Sequence, residues 1–217
     1  MSKGTCGAAA PATVNECPHV RPPETSTEAL AKVEQILVET GTLLTGHFKL
    51  TSGRHGAQYM QCAKVMQYPE HTAYIAQVIA EGFKGEEIDI VLAPAVGGII
   101  LGYELARATG AKSMFAERED GKMTLRRGFE IPRGARVLIA EDVVTTGGST
   151  REVMAIAEEC GAKIVGTCSM VDRTGGALDL GVRFVAAYSK AMVSYAPEEC
   201  PLCKEGLPIV KPGSRNI

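Results

Sequence analysis

The chain has 217 residues, 45% of them hydrophobic and 22% charged, with a formal net charge of −2 at pH 7. That suits one globular domain plus a tail, and the near-neutral balance points to neither nucleic acid nor an anionic membrane as partner. Seven cysteines, an odd number, without a secretion signal argue for reduced thiols in the cytoplasm and against a disulfide framework.

Residues 1–25 are rich in Ala, Pro, Thr and Gly without apolar periodicity. They are expected to form a flexible extension, lacking both the apolar core of a signal peptide and the Arg-rich pattern of a transit peptide. Residues 26–217 are expected to form the domain. Thr27 to Thr40 predicts a helix with Leu30, Val33, Ile36 and Leu37 on one face and Gly41 as its stop. Gly46 to Cys62 reads as a hairpin-like pair of short strands around Ser52-Gly-Arg-His55, and Pro69 opens a helix running to about Glu81. Ile88 to Ala93 is a buried strand, Gly97 to Thr109 a helix, and Lys112 to Ala116 a strand. The longest apolar run, Val91 to Gly102, is broken by Pro94 and glycines and is too short to span a bilayer. Ala116 to Arg127 is polar with a central glycine, the composition of a mobile lid or of a solvated hairpin. Val137 to Ala140, Lys163 to Val171 and Arg183 to Ala187 complete the strands, and the alternation with helices implies an α/β fold with a mostly parallel sheet.

The most informative stretch is Glu141-Asp142-Val143-Val144-Thr145-Thr146-Gly147-Gly148-Ser149, directly after the Val137 strand. Its acids fall at the strand's carboxyl end, where open α/β sheets bind ligands. Its small residues precede a helix carrying Val153, Ile156, Ala157 and Cys160 and closed by Gly161, so their amides can converge on a phosphate. Two carboxylates would repel a bare phosphate. Ribose hydroxyls suit them, and they can hold hydrated Mg²⁺ through its waters, with no direct protein ligand to the metal. The plain alternative is an acidic strand end and a Gly-Gly turn capping a helix. Pro94-Ala-Val-Gly97-Gly98 is a second glycine turn after a strand, and could take pyrophosphate oxygens. Neither turn is followed by the Lys-Ser or Lys-Thr of a nucleotide-binding P-loop.

The Glu141–Ser149 stretch resembles the phosphoribosyl pyrophosphate (PRPP) motif of type I phosphoribosyltransferases. Phe48-Lys-Leu-Thr-Ser-Gly-Arg-His55, Phe115-Ala-Glu-Arg118-Glu-Asp-Gly-Lys122-Met-Thr-Leu-Arg-Arg-Gly-Phe129 and Val171-Asp-Arg173 narrow the resemblance to the orotate phosphoribosyltransferases. It implies the type I fold, a sheet flanked by helices with a small hood built from about residues 41–65 and the C-terminal segment. It implies Mg²⁺-dependent transfer of phosphoribosyl from PRPP to orotate in pyrimidine synthesis, by a homodimer with shared active sites. Lys122 matches the catalytic lysine, Arg118 a pyrophosphate-binding arginine, Asp142 a catalytic acid, residues 141–149 the PRPP binders, and Thr145 and Arg173 the orotate side. Arg173 could instead pair with Asp172 or Asp179. Tyr59 and Met60 match a pair lying along the pyrimidine, and core packing explains them equally well.

Departures accompany the matches. Glu119 stands where a basic residue follows the arginine, Thr124 replaces a histidine, and lysines known in the hood and in the pyrophosphate turn align with Thr51 and Gly97. Arg126 or Arg127 could compensate. Two other readings stay open, a purine phosphoribosyltransferase and a non-catalytic PRPP-sensing regulator; the latter would not need Lys122. Cys62, Cys160 and Cys168 are expected in the core. Cys200-Pro-Leu-Cys203 has the spacing of half a zinc site, but with no second Cys-x-x-Cys or paired histidine evident it is expected to be a local turn.

Overall fold

A computed structural model of the chain describes residues 27–50 and 52–212. The expected extension at 1–25, and Thr51, lie outside the described residues. Helix α1 (Thr27–Glu39) buries Val33, Ile36 and Leu37. Leu30, expected on that face, is 40% exposed: the buried stripe is narrower than the four positions suggested. Gly41 ends the helix with φ +64°, and Thr40 Oγ1 donates to the Ile36 carbonyl at 2.7 Å.

Strands β1 (Leu43–Lys49) and β2 (His55–Met60) form the expected hairpin, antiparallel with a register shift between Thr45 and Phe48. Helix α2 (Ala63–Met66) and helix α3 (Pro69–Glu81) lead to β3 (Ile90–Pro94), α4 (Gly98–Thr109) and β4 (Lys112–Glu119). Strand β4 runs three residues beyond the expected Ala116 because β5 (Lys122–Leu125) pairs antiparallel with it through Asp120 and Gly121. Both turn residues have positive φ, +50° and +83°, as a two-residue hairpin turn requires. Then come β6 (Arg136–Val144), α5 (Gly148–Glu159), β7 (Lys163–Asp172), β8 (Phe184–Ser189), β9 (Ser194–Tyr195), a 3₁₀ turn at Pro197–Glu199 and α6 (Pro201–Lys204).

The main sheet has the order β5-β4-β3-β6-β7-β8, with β3, β4, β6, β7 and β8 parallel. Alternation along its central strands fills two cores. Val91, Ala93, Leu138, Ala140, Cys168 and Met170 face α1, α3 and α4, whereas Ile90, Leu92, Val137 and Ile139 face Val153, Met154 and Ala157 of α5. Cys62 and Cys168 are core residues as expected, and Cys160 is half-buried. No described helix is long and apolar enough to cross a membrane.

A second sheet, β1-β2-β9, carries the chain's C-terminal segment on both flanks. β9 joins β2, and beyond α6 the Val210 amide donates to His47 O at 2.8 Å while the Lys49 amide donates to Val210 O at 2.8 Å. This is the hood that the resemblance implies.

Candidate active site

Chain order and sheet order diverge beside β3. The connection through α4 places β4 on one side of it, whereas β6 lies on the other, so the turns leaving β3 and β6 are neighbours at a topological switch point. Gly97 in the β3 turn sits against the carboxylate of Asp142, where an added Cβ would lie 2.6 Å from Oδ2. Any side chain here would require the Asp142 carboxylate to move.

β6 continues through Val144 because Val143 and Val144 pair with Val171 and Asp172. Glu141 and Asp142 thus belong to the strand's last residues and do not follow it. Glu141 is buried at 8% exposure, and Asp142 is half-buried. Burial, reinforced by the neighbouring Asp142 charge and a hydrogen bond between the two carboxyls, pushes Glu141 up to about 8. Burial also raises Asp142, against a lowering by the Val143 amide. Both carboxyls are thus held above the usual carboxylate range.

Residues 143–150 then wrap a cavity of about 240 Å³ whose other walls are Arg118, Glu141 and Glu152. It opens at the N-terminus of the 12-residue helix α5, where unpaired amides favour an anion. Gly147, the residue before the helix, has φ +75°, and a Cβ there would lie 2.9 Å from Arg151 Nη1 and 3.0 Å from Leu180 Cδ2. Gly147→Val should therefore abolish phosphate binding through backbone strain and lost space together, a loss that isothermal titration with PRPP would read. Unchanged affinity would return the turn to simple helix capping.

The structure brings most of the predicted site together. Arg118 borders the cavity of its own chain, held by Glu152 Oε2 at 2.7 Å and by the Gly121 carbonyl at 2.8 Å. Glu152 was not legible as an orienting group. Lys122 is not brought in: it is exposed and lines a separate cavity on the outer side of α5, with Glu152, Ile156 and Glu159. Arg127 is engaged by Glu117 through two contacts at 2.7 and 2.8 Å, and Arg126 lies 3.4 Å from Glu119.

Arg173 follows β7 at the same sheet edge. The alternative of an ion pair with Asp172 or Asp179 is not what the structure shows. Asp172 accepts from Thr174 N and Oγ1, Gly176 N and Ser189 Oγ at 2.6–2.7 Å, while Asp179 Oδ1 accepts from Gly181 N. Burial alone would raise Asp172, but these donors hold it below the usual carboxylate range. Its role is to shape the loop that carries Arg173. Arg173 makes no ion pair among the described residues, its Nε is buried without a partner, and burial lowers its pKa while nearby Tyr59 raises it. Of the hood pair, Met60 takes the core reading at 7% exposure, and Tyr59 stays half-buried beside Arg173.

An anion nest at a helix N-terminus with an acidic pair beside it suits a phosphoribosyltransferase, and residues 67–185 match the phosphoribosyl transferase domain. An orotate phosphoribosyltransferase of Pelotomaculum thermopropionicum is 53% identical over 186 residues, 86% of this chain and 98% of its own. One of Chlorobium phaeobacteroides is also 53% identical, over 83% of this chain and 93% of its own. The chain belongs to the orotate phosphoribosyltransferase family. Among solved structures, the Mycobacterium tuberculosis orotate phosphoribosyltransferase in complex with PRPP aligns with a TM-score of 0.61 at 22% identity, covering 75% of this chain and 97% of that one. An adenine phosphoribosyltransferase of Thermoanaerobacter pseudethanolicus aligns almost as well, with a TM-score of 0.59 at 17% identity over 70% and 99% of the two chains. The fold is thus common to enzymes acting on different bases.

Proposed function

We propose that this site performs its family's reaction, transfer of the phosphoribosyl group from PRPP to N1 of orotate, giving orotidine 5′-monophosphate and pyrophosphate in pyrimidine synthesis. The observation that carries the reading is the pair of buried Glu141 and half-buried Asp142 beside an amide-lined anion cavity. Such a pair rejects a second phosphate and accepts vicinal hydroxyls, which is the ribose between the 5′-phosphate and the pyrophosphate of PRPP. Residues 143–149 hold the 5′-phosphate, and Pro94–Gly98 faces the pyrophosphate. The acidic pair suits Mg²⁺ held through water, an ion that when bound would neutralise pyrophosphate charge. Orotate's ring nitrogen is nucleophilic as its anion, so the chain's own task is positioning and stabilising the leaving group. Arg118 is poised for that charge, and Lys122 reaches it by movement of the β4–β5 hairpin or by entering the site of a second copy in a homodimer. The absence of a disulfide among the described residues agrees with a reducing cytoplasm.

Arg173 favours orotate over a purine. A half-buried, unpaired guanidinium beside Tyr59 fits a carboxylate or ring carbonyls, which a neutral purine lacks or presents differently. Following base depletion by ultraviolet absorbance should show turnover of orotate and none of adenine or xanthine. Arg173→Ala should raise the KM for orotate roughly tenfold to a hundredfold, the weight of a lost charge-assisted hydrogen bond, with PRPP affinity unchanged. Equal turnover of a purine would overturn the assignment.

A further inference from the structure

The hood contains a second cluster of chemically active side chains, and the transfer reaction has no use for it. His47 and His55, both buried, come from the two strands of the hairpin; Cys200, fully buried, and Cys203 come from the C-terminal segment. Their donor atoms all lie within 4.8 Å of one another. His47 Nε2 is 3.2 Å from His55 Nδ1, 3.6 Å from Cys200 Sγ and 3.7 Å from Cys203 Sγ, and His55 Nδ1 is 3.2 Å from Cys203 Sγ.

These four spacings lie close to those of a metal centre. Tetrahedral zinc binds imidazole nitrogen at about 2.0–2.1 Å and thiolate sulfur at about 2.3 Å, which sets donor atoms roughly 3.3–3.8 Å apart. The tautomer agrees. His47 Nδ1 lies 2.8 Å from the Leu207 carbonyl, an acceptor only, so Nδ1 carries the proton and Nε2 turns a bare lone pair toward the other three groups. That contact is also the outer hydrogen bond by which a ligating histidine is normally oriented.

We propose that His47 Nε2, His55 Nδ1, Cys200 Sγ and Cys203 Sγ bind one zinc ion. Two thiolates and two imidazoles exclude Mg²⁺ or Ca²⁺ and suit a borderline-soft cation, and four protein ligands leave no open position for chemistry. The ion is structural. It ties the C-terminal segment across β1 and β2, adding to the β9 pairing, the backbone bonds to Val210, the His47–Leu207 contact and the Arg54 hydrogen bonds to Ser194, and so fixes the hood that carries Tyr59. Cys200–Cys203 does form a local helical turn, but the paired histidines that the sequence did not reveal exist, eight residues apart, and meet because the register shift after Thr45 re-aims β1 against β2.

The test uses the full chain without a polyhistidine tag, purified from zinc-supplied medium without chelator. Elemental analysis should find about one zinc per chain, and Cys200→Ser/Cys203→Ser should lower this to below about a tenth. Should that variant not fold, the wild-type chain decides alone. After chelator stripping, one equivalent of Co²⁺ should give the visible bands of a tetrahedral site together with thiolate-to-cobalt charge transfer. The proposal falls if the wild-type chain holds less than about a tenth of an equivalent of zinc and cobalt gives no thiolate charge transfer. It falls equally if mass spectrometry of the purified chain shows Cys200 and Cys203 joined as a disulfide. The PRPP reaction is measured separately, so failure here leaves that assignment standing.

Discussion

Lys122→Ala should lower turnover about a hundredfold, the effect of removing one donor that acts in the transition state at a cost on the order of 3 kcal/mol. The structure sharpens the reason. Arg118 already faces the nest and is held by Glu152, so under the proposed reaction its charge would act on the ligand in ground and transition states alike. Lys122 points into a different cavity, makes no ion pair among the described residues, and sits directly after the Asp120–Gly121 turn. A cation that arrives only with closure contributes to kcat more than to binding, so PRPP affinity should hardly change. Mixing Lys122→Ala with an inactive Glu141→Gln/Asp142→Asn chain, after proven subunit exchange, should restore one working site per mixed dimer if Lys122 serves the neighbouring copy. No recovery would assign Lys122 to its own chain, by way of hairpin movement.

Glu141→Gln/Asp142→Asn should weaken PRPP binding by roughly thirtyfold to a hundredfold, because two charge-assisted hydrogen bonds to ribose become neutral ones, each weaker by about 1–1.5 kcal/mol. The fold should respond in the opposite sense. Glu141 titrates near 8 in the folded chain against 4.5 for an unperturbed glutamate, so between these values the folded state binds more protons than the unfolded one. Ligand-free stability therefore falls as pH rises through that window. Glu141→Gln removes the titration, and its melting temperature relative to wild type should climb between pH 5 and pH 8. PRPP binding by the wild type should strengthen over the same interval, as the carboxylate that receives the hydroxyls becomes ionised. Parallel melting curves at both pH values would show that burial of this charge costs the fold nothing.

Legibility in the sequence followed contiguity. The nest, the acidic pair and the strand-to-helix junction occupy residues 141–149 without interruption, so apolar runs and glycine placement were enough to locate them. The parallel core was legible for the same reason, since Val137 to Ala140 is buried on both faces and reads as an unbroken apolar run. What depended on tertiary approach was not. Glu152 lies 34 positions from the arginine it orients, and nothing in its helical surroundings marks it. Asp172 looked like an ion-pair partner for Arg173, yet four donors from its own loop and from β8 claim it. Glu141 and Asp142 were placed beyond the strand because the apolar run stops at Ala140, whereas ladder pairing with β7 carries the strand on. His47 and His55 lack any helical or Cys-x-x-Cys spacing, and their meeting rests on one register shift in a hairpin.

The position of β5 has a consequence for solubility. It is the outermost strand of the main sheet, so its far side is an open row of backbone donors and acceptors, the kind of template on which a second molecule can add a strand. Four residues make a poor template. Exposed Lys122 at the strand's start, with no ion pair among the described residues, gives any incoming copy of the same edge a charge to bury. Meanwhile Met123, buried at 5% exposure, pins the strand to the α5 side of the sheet. The charge on this hairpin thus guards the sheet's margin, and a hairpin of apolar composition in the same place would invite the molecules to zip together edge to edge.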